Sequence, residues 1–369
     1  MAIKILVLGT SGVLNDGITS WMRQTFGAMN FDGLEIVTVA FEDCDPSVVD
    51  SVEKVGIRVV TVPSRKKNPR AYVRAYRALL EKENFSIVHV CCNSALASFE
   101  LREARKYSVK MRIAHSHNTT CGHRVADSLL RPVLYREATD YYACGNDAGK
   151  WLFGNRQFKV IPNGKDLGLF TFSSSVRVGA RAELGLNDDA IALGHVGRFN
   201  NQKNHGKLLE IFKELRGRSP RYELVLIGDG ALFDQIKEKA EALGIQSHVH
   251  FLGLRDDVSK LLNAMDCMVF PSLYEGFPNV VLEWQLNGLP VVMSETITDE
   301  CAITPLVSQV SLNASAAVWA DAIEDALKGR NRALDSASGV NSARTAGYDI
   351  RDNAAMLRRL YMEGINRCK

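Results

Sequence analysis

Short apolar runs alternate with amphipathic stretches along almost the whole chain, and the pattern is gone through twice. In the first round residues 3–8, 35–41, 58–62, 87–92, 111–115 and 141–143 read as strands, and 18–29, 69–83, 95–107 and 124–136 as helices. A chain ordered strand, helix, strand does not pair its strands as tight hairpins. The strands lie parallel and the helices cover the faces of the sheet. The fold class is therefore α/β.

A last short strand breaks into Val160-Ile-Pro-Asn-Gly164, where Asn-Gly suits a positive-φ turn. After the polar Ser173-Ser-Ser175 the alternation restarts. Strands are expected at 191–196, 224–227, 249–252, 267–270 and 291–293, and helices at 207–216, 233–243, 258–265, 279–287 and 316–328. The boundary falls near residues 164–180. The expected division is an N-terminal Rossmann-like domain over 1–165 and a C-terminal Rossmann-like domain over 166–350. A terminal helix over 351–369 is expected to pack back across the lobes, with Met356, Leu357, Leu360 and Tyr361 on one face. In doubly wound sheets ligands bind beyond the carboxyl ends of the strands, and the cleft between two facing lobes is the expected site.

No stretch of about 18 apolar residues is present, so no spanning helix is expected. Residues 1–9 read as a first strand rather than a signal peptide. The eight cysteines lie mostly in apolar runs without metal-ligand spacing and read as buried reduced thiols of a cytoplasmic protein. A net charge of +3 is too small to imply a nucleic-acid partner. Cations do cluster in the first half: Arg65, Lys66, Lys67, Arg70, Arg74 and Arg77, then Arg102, Arg105, Lys106, Lys110 and Arg112, then Arg124, Arg131 and Arg136. They suit an anionic acceptor or an anionic membrane, and equally a set of solvated helix faces. Tyr72, Val73 and Tyr76, set among these arginines, suit either lipid contact or core packing.

The richest stretch is Phe270-Pro-Ser-Leu-Tyr-Glu-Gly-Phe-Pro-Asn-Val-Val-Leu-Glu283. A strand ends, a loop carries Glu275 and Gly276, and Pro278 stands where the first turn of a helix should begin. Free backbone N–H groups at such a start favour a phosphate. Glu283 lies roughly 7.5 Å further along the axis, so two acids could hold hydroxyls at two points of one ligand. The same acids also suit a helix cap and a solvated surface position. In Gly194-His-Val-Gly-Arg198, followed by Lys203 and Asn204, a strand runs into a glycine turn and then two cations. Arginine grips phosphate as a fork and lysine adds a compact charge. Two exposed basic residues on a loop would look the same.

Arg112-Ile-Ala-His-Ser-His-Asn118 ends a strand of the first lobe with His115 and His117 on one face. No further ligands with zinc spacing accompany them, so they read as hydrogen-bond partners of a sugar or phosphate. His248 and His250 read as a strand-start pair away from the site. The loop from Gly9-Thr-Ser-Gly12 to Asp16-Gly17 matches neither a dinucleotide fingerprint nor a P-loop, but its glycines allow close backbone approach to a ligand. Asp43-Cys-Asp45 reads as an exposed acidic loop.

Together these residues resemble glycosyltransferase family four, a retaining group of the GT-B fold, and most of all its bacterial exopolysaccharide and capsule branch. The resemblance runs from about residue 3 to residue 365. It is carried by Ile113-Ala-His-Ser-His-Asn118, Val160-Ile-Pro-Asn-Gly164, His195-Val-Gly-Arg-Phe-Asn-Asn-Gln-Lys-Asn-His205, Leu226-Ile-Gly-Asp-Gly230, Phe251-Leu-Gly253 and Pro271-Ser-Leu-Tyr-Glu-Gly-Phe-Pro278. Glu275 and Glu283 make the family's Glu-x7-Glu signature. The resemblance implies two doubly wound Rossmann-like domains facing across a cleft. It implies that Arg198 and Lys203, beside Gly197, bind a donor diphosphate, and that Glu283 holds the ribose. Glu275 with the N–H groups of Gly276 and Phe277, next to Pro278 and Asn279, would hold the donor sugar. His117, with His115, would reach that sugar, Gly17 would approach the diphosphate, and Leu254 and Arg255 would meet the base mainly through backbone. Two departures stand out: Asp16 precedes Gly17 where paired glycines are usual, and Trp284 follows the second glutamate where a small residue is usual.

No side chain stands out as a double-displacement nucleophile, so the family's front-face mechanism is expected, with no metal and no cofactor. The donor is expected to be a UDP-sugar and the acceptor a saccharide, in particular a lipid-linked one, at the inner face of the cell membrane. The competing readings are a sugar-nucleotide epimerase or hydrolase of the same fold, and a non-catalytic nucleotide-sugar binding subunit.

Overall fold

In the computed structural model β1 (Ile3–Gly9), β2 (Leu34–Phe41), β3 (Arg58–Val62), β4 (Ile87–Cys92), β5 (Met111–Ser116), β6 (Asp140–Ala143) and β7 (Lys159–Val160) form one parallel sheet. Their order is β3-β2-β1-β4-β5-β6-β7, so the order reverses between β1 and β4. Helices α1 (Gly17–Gly27), α2 (Pro46–Glu53), α3 (Pro69–Glu83), α4 (Ser98–Lys106), α5 (Arg124–Glu137) and α6 (Asn146–Phe153) connect them. Alternation along β1 explains the two layers. Ile5 and Val7 join a core with Trp21, Met22 and Phe26 of α1. Leu6 and Leu8 join the opposite core with Tyr72, Tyr76, Leu101 and Leu134. The structure describes residues 2–9, 12–14 and 16–367, so Thr10 and Ser11 of the first loop lie outside the described residues.

The second sheet contains β8 (Ile191–Val196), β9 (Tyr222–Ile227), β10 (Val249–Phe251), β11 (Cys267–Phe270), β12 (Val291–Ser294) and β13 (Val307–Val310). Its order, β10-β9-β8-β11-β12-β13, repeats the first one and reverses between β8 and β11. Around it run α7 (Ser174–Glu183), α8 (His205–Arg218), α9 (Phe233–Ala242), α10 (Val258–Leu261), α11 (Asn279–Leu286), α12 (Ala316–Leu327) and α13 (Arg332–Thr345). The chain ends in α14 (Ile350–Arg367), whose Leu357, Leu360, Tyr361 and Ile365 enter the core of the first sheet beside α1. The compact units are Met1–Lys165 with Gly347–Lys369, and Asp166–Ala346.

Several local expectations are corrected. Asn163 and Gly164 form no positive-φ turn. Glycine is needed at 164 for space, because a Cβ there would lie 2.7 Å from Cα of Ile350. The backbone pairs at this point, with Lys165 N–H donating to Tyr348 O at 2.8 Å and Ile350 N–H to Lys165 O at 3.0 Å. Within the polar Ser173-Ser-Ser175 stretch Ser173 caps α7, its hydroxyl accepting from Val176 N–H. Asp43 and Asp45 are exposed on a loop as expected, where Asp45 also caps α2 and Asp43 pairs with Lys67 at 2.8 Å. Tyr72 and Tyr76 are 4% and 1% exposed, with their hydroxyls bonded to Oε1 and the carbonyl of Glu100. They are core residues and do not touch lipid. All seven described cysteines are free thiols. Among the described residues no helix is long and apolar enough to cross a membrane.

Candidate active site

β8 and β11 are neighbours at the point where the second sheet reverses, and loops leave their carboxyl ends there. Those loops carry the residues singled out by the motifs. After β8 the chain passes Gly197 and Arg198 into one 3-10 turn, Asn201–Lys203, in which the Asn200 side chain accepts from Lys203 N–H at 3.1 Å. The preceding backbone is pressed against the turn after β9. A Cβ on Gly228, at φ 142°, would lie 2.1 Å from Gly197 O. Gly197 N–H donates to Ile227 O and Phe199 N–H to Asp229 O, at 3.0 and 2.9 Å. The Gly-Asp-Gly turn therefore fixes where Arg198 and Lys203 leave the sheet.

The loop after β11 docks on this one. Leu273 N–H donates to Gln202 O at 2.8 Å, and the Gln202 amide donates back to Tyr274 O at 2.9 Å. Asn204, held at φ 54°, donates to Pro271 O at 3.2 Å. Across the junction Lys203 Nζ lies 2.7 Å from Glu275 Oε1, and the two side chains are only 16% and 10% exposed. The same ammonium sits 4.6 Å over the Phe270 ring. Arg198 is exposed, and its guanidinium makes no ion pair among the described residues. Glu275 is thus neither a helix cap nor a solvated acid.

Pro278 is the residue before α11 rather than its first residue, and no side chain caps the helix there. Its first N–H groups are left for other partners. Asn279 Oδ1, Ser272 Oγ and His195 Nε2 are enclosed without partners among the described residues. Glu283 is half-buried on α11, while Trp284 points into the core with its ring edge-on to Phe270 at 5.2 Å. The tryptophan therefore acts under the site, by backing the ring beneath Lys203. His195 donates Nδ1–H to Val269 O at 2.9 Å, and His205 stacks on Phe199 at 4.0 Å. Burial keeps both neutral, and the nearby Lys203 charge adds to it, pushing His205 down to about 4.

Leu254 is 72% exposed on the turn after β10. The Arg255 guanidinium is held by Asp257 and Glu183, each at 2.7 Å, leaving its backbone as the part free to face a ligand. Gly276 and Phe277 stand in the loop between Glu275 and α11. His248 and His250 share Glu223 at 3.0 and 3.1 Å near the starts of their strands, the opposite edge of the sheet.

In the first unit, Gly17 opens α1, and a Cβ there would meet nothing within 4 Å. Asp16 has a structural task as the cap of α1, accepting from Thr19 N–H at 2.9 Å. His115 differs from expectation. It is 0% exposed, so it reaches no ligand directly, because β5 is covered on that face by α1 and α14. Its ring packs 4.1 Å from that of the half-buried His117. Burial pushes His117 down to about 3, so it is neutral at ordinary pH. Sequence reasoning missed His89 and Tyr361, whose side chains meet His115 from β4 and α14, and Phe270 as the floor under Lys203.

Comparison with known proteins gives the family and the fold. The family described as "Glycosyl transferases group 1" matches residues 179–338. The chain is 33% identical over 366 residues to EpsF of Bacillus subtilis, named as a glycosyltransferase, covering 95% of this chain and 94% of that one. It is 33% identical over 152 residues to an Escherichia coli protein named UDP-Gal:alpha-D-GlcNAc-diphosphoundecaprenol alpha-1,3-galactosyltransferase, covering 40% of this chain and 39% of that one. The Anabaena Alr3699/HepE structure in complex with UDP superposes with a TM-score of 0.79 at 19% identity, over 98% of this chain and 100% of that one. The chain belongs to the glycosyltransferase group 1 family, similar to family four, and is a glycosyltransferase of the GT-B fold.

Proposed function

We propose that this glycosyltransferase takes a UDP-sugar and transfers the sugar, with retention and without a metal ion or other cofactor, to a saccharide acceptor carried on a lipid. The product belongs to a cell-surface polysaccharide such as an exopolysaccharide or capsule. The observation that carries this reading is the meeting of Lys203, Glu275 and the uncapped start of α11, beside an exposed Arg198, at the reversal point of the second sheet.

In this reading Arg198 and Lys203 hold the diphosphate against Gly197 and the N–H groups at Asn279. Glu283 accepts from the ribose hydroxyls, and the backbone at Leu254 and Arg255 meets the base. Glu275, with the N–H groups of Gly276 and Phe277, holds the sugar, and His117 offers a neutral imidazole to the substrate. As the bond from the sugar's anomeric carbon to the diphosphate breaks, the departing phosphate oxygen takes the proton of the acceptor hydroxyl. That hydroxyl oxygen bonds to the same face of the sugar. The two cations and the helix start stabilise the growing phosphate charge where a metal otherwise would.

Support for UDP and for a lipid-borne acceptor comes from the names of the Escherichia coli and Anabaena proteins, which speak of those proteins. Exposed Arg70, Arg74 and Arg124 suit contact with an anionic membrane from the cytoplasmic side. The epimerase, hydrolase and binding-subunit readings are not favoured, since the two relatives compared in sequence are named as transferases. The test is a thermal shift with UDP, GDP, ADP and CMP, without metal, on the wild type and Glu283→Ala. It is followed by turnover of UDP-sugars on a diphosphoundecaprenol-linked saccharide, with the anomer read by NMR. Stabilisation by UDP, weakened in the variant, and a retained anomer are expected. No stabilisation by any nucleotide, or an inverted product, would remove the reading.

A further inference from the structure

α4 and α5 lie side by side on one face of the first sheet, with Leu101, Ala104 and Leu134 turned into its core. They are tied across their outer edge, where Arg102 and Arg105 of α4 reach Glu137 of α5 at 3.8 and 3.1 Å. The charges of this pair are sorted by depth. Its acids are Glu100, Glu103, Asp127 and Glu137, and the side chain of each is at most 4% exposed. They have inward tasks: Glu100 accepts from the Tyr72 hydroxyl at 3.1 Å, and Asp127 accepts from Ala95 N–H at 2.7 Å. Arg102, Arg105, Lys106, Arg124 and Arg136 are all exposed. A pair of helices of mixed charge therefore shows solvent a face that its cations reach and its acids do not.

On this face stand Val125 and Leu129, 77% and 74% exposed and one helical turn apart. Residues 125, 129, 132 and 136 recur with the helical period, so Val125, Leu129, Pro132 and Arg136 share one side of α5. Asp127 and Leu134 occupy the opposite, buried side. A single exposed aliphatic residue is ordinary. Two of them on one turn, flanked by Arg124 and Arg136 and with no exposed acid on either helix, are a combination with a chemistry of its own. A soluble acidic partner would use the cations and leave the aliphatic side chains in water. An anionic bilayer uses both, since its headgroups take the charge and the boundary with the acyl chains takes the apolar groups.

We infer that the outer face of α4 and α5 is a docking surface for an anionic lipid bilayer, with Val125 and Leu129 entering the boundary between headgroups and acyl chains and the cations around them lying among the phosphates. The inference rests on the reading of the acceptor as lipid-borne, which gives the enzyme a reason to stay at a bilayer. It places the lipid contact on α5, away from the buried Tyr72 and Tyr76, and it gives the inward turn of the four acids a consequence outside the core.

The test is sedimentation of the full chain with vesicles of phosphatidylcholine alone and of phosphatidylcholine with phosphatidylglycerol. The wild type should bind the anionic vesicles, bind the neutral ones far less, and be released as salt is raised. Val125→Ser with Leu129→Ser should weaken binding about tenfold or more, and Arg124→Glu should weaken it as well, with melting midpoints unchanged because these side chains are exposed. In Leu129→Trp the added fluorescence should be quenched by brominated lipid. Equal binding to both kinds of vesicle, or binding indifferent to the double serine variant, would overturn the inference. So would bound Leu129→Trp that brominated lipid fails to quench. Polyglutamate held more tightly than anionic vesicles would assign the cations to an acidic macromolecule and overturn it too. If vesicle binding is as expected and no sugar reaches a diphosphoundecaprenol-linked saccharide, it is the lipid-borne acceptor that fails and the docking face that stands.

Discussion

Lys203 and Glu275 meet at 2.7 Å from two loops on neighbouring strands, with the ammonium lying over Phe270. Before any ligand arrives, the cation assigned to the diphosphate is therefore balanced by the acid assigned to the sugar. Removing the lysine deletes one phosphate contact and also leaves a mostly enclosed carboxylate facing the incoming anion. Lys203→Ala should lower kcat about 10²- to 10³-fold with the fold intact. The double variant with Glu275→Gln separates the two effects. If lysine only neutralises the glutamate, the second change restores turnover. If lysine stabilises the leaving diphosphate, the loss persists, which is the expected result.

Arg198 stands differently, exposed and with no ion pair among the described residues. Its loss should leave the melting midpoint alone and act on nucleotide affinity. A charge-assisted hydrogen bond contributes about 1.5–3 kcal/mol, so Arg198→Ala should weaken UDP binding roughly 10- to 100-fold. Calorimetric titration with UDP checks this, and an unchanged Kd would take Arg198 out of the site.

Where the sequence was legible, a local signal sufficed. β4, β8 and β11 begin and end where the apolar runs at 87–92, 191–196 and 267–270 do, because a strand buried on both faces is written as a continuous apolar run. The loops that carry Arg198, Lys203 and Glu275 were legible because glycine turns and charged residues stood together in order. α2 and α7 were missed although Asp45-Pro46 and Ser173 are ordinary helix starts, since each is short and follows polar residues that resemble a loop. The burial of His115 and its link to His89 were not legible at all. The register that puts Cys91 beside His115, and the arrival of Tyr361 from a helix far along the chain, are tertiary facts. That Trp284, a large residue where a small one is usual, turns into the core was not legible, because the direction of a side chain around α11 depends on where the helix packs.

Stability should depend on pH through the enclosed histidines. Burial holds His89 at about 3 and His205 at about 4, and drives His115 and His195 well below the usual histidine range. Below an unfolded value of about 6.5 the unfolded chain takes up protons that the folded chain refuses. The stability these groups lend is therefore complete above about pH 6.5 and is lost as pH falls toward the folded values. Each group contributes a slope of about 1.4 kcal/mol per pH unit in that window. Urea midpoints should be level between pH 7 and 8 as far as histidine is concerned, and fall steeply from pH 6 to 4. A midpoint independent of pH over that lower range would mean that these rings are not enclosed.

The attachment of α14 gives the last prediction. Gly164 leaves no space for a side chain, since a Cβ would lie 2.7 Å from both Ile350 Cα and Asn353 Nδ2, and the Asn353 amide is already donating to Pro162 O at 2.9 Å. Neither neighbour yields easily, one being backbone at the helix start and the other a 3% exposed amide. Gly164→Ala must push the start of α14 outward, at a cost of about 1–3 kcal/mol. The helix would be loosened from the pairing of Lys165 with Tyr348 and Ile350, and with it the seat of Leu357 and Tyr361 in the core. Amide hydrogen exchange should report this as faster exchange along residues 350–361, with α3 and β4 little affected. Unchanged protection of that helix in Gly164→Ala would show that the contact is not what holds α14 in place.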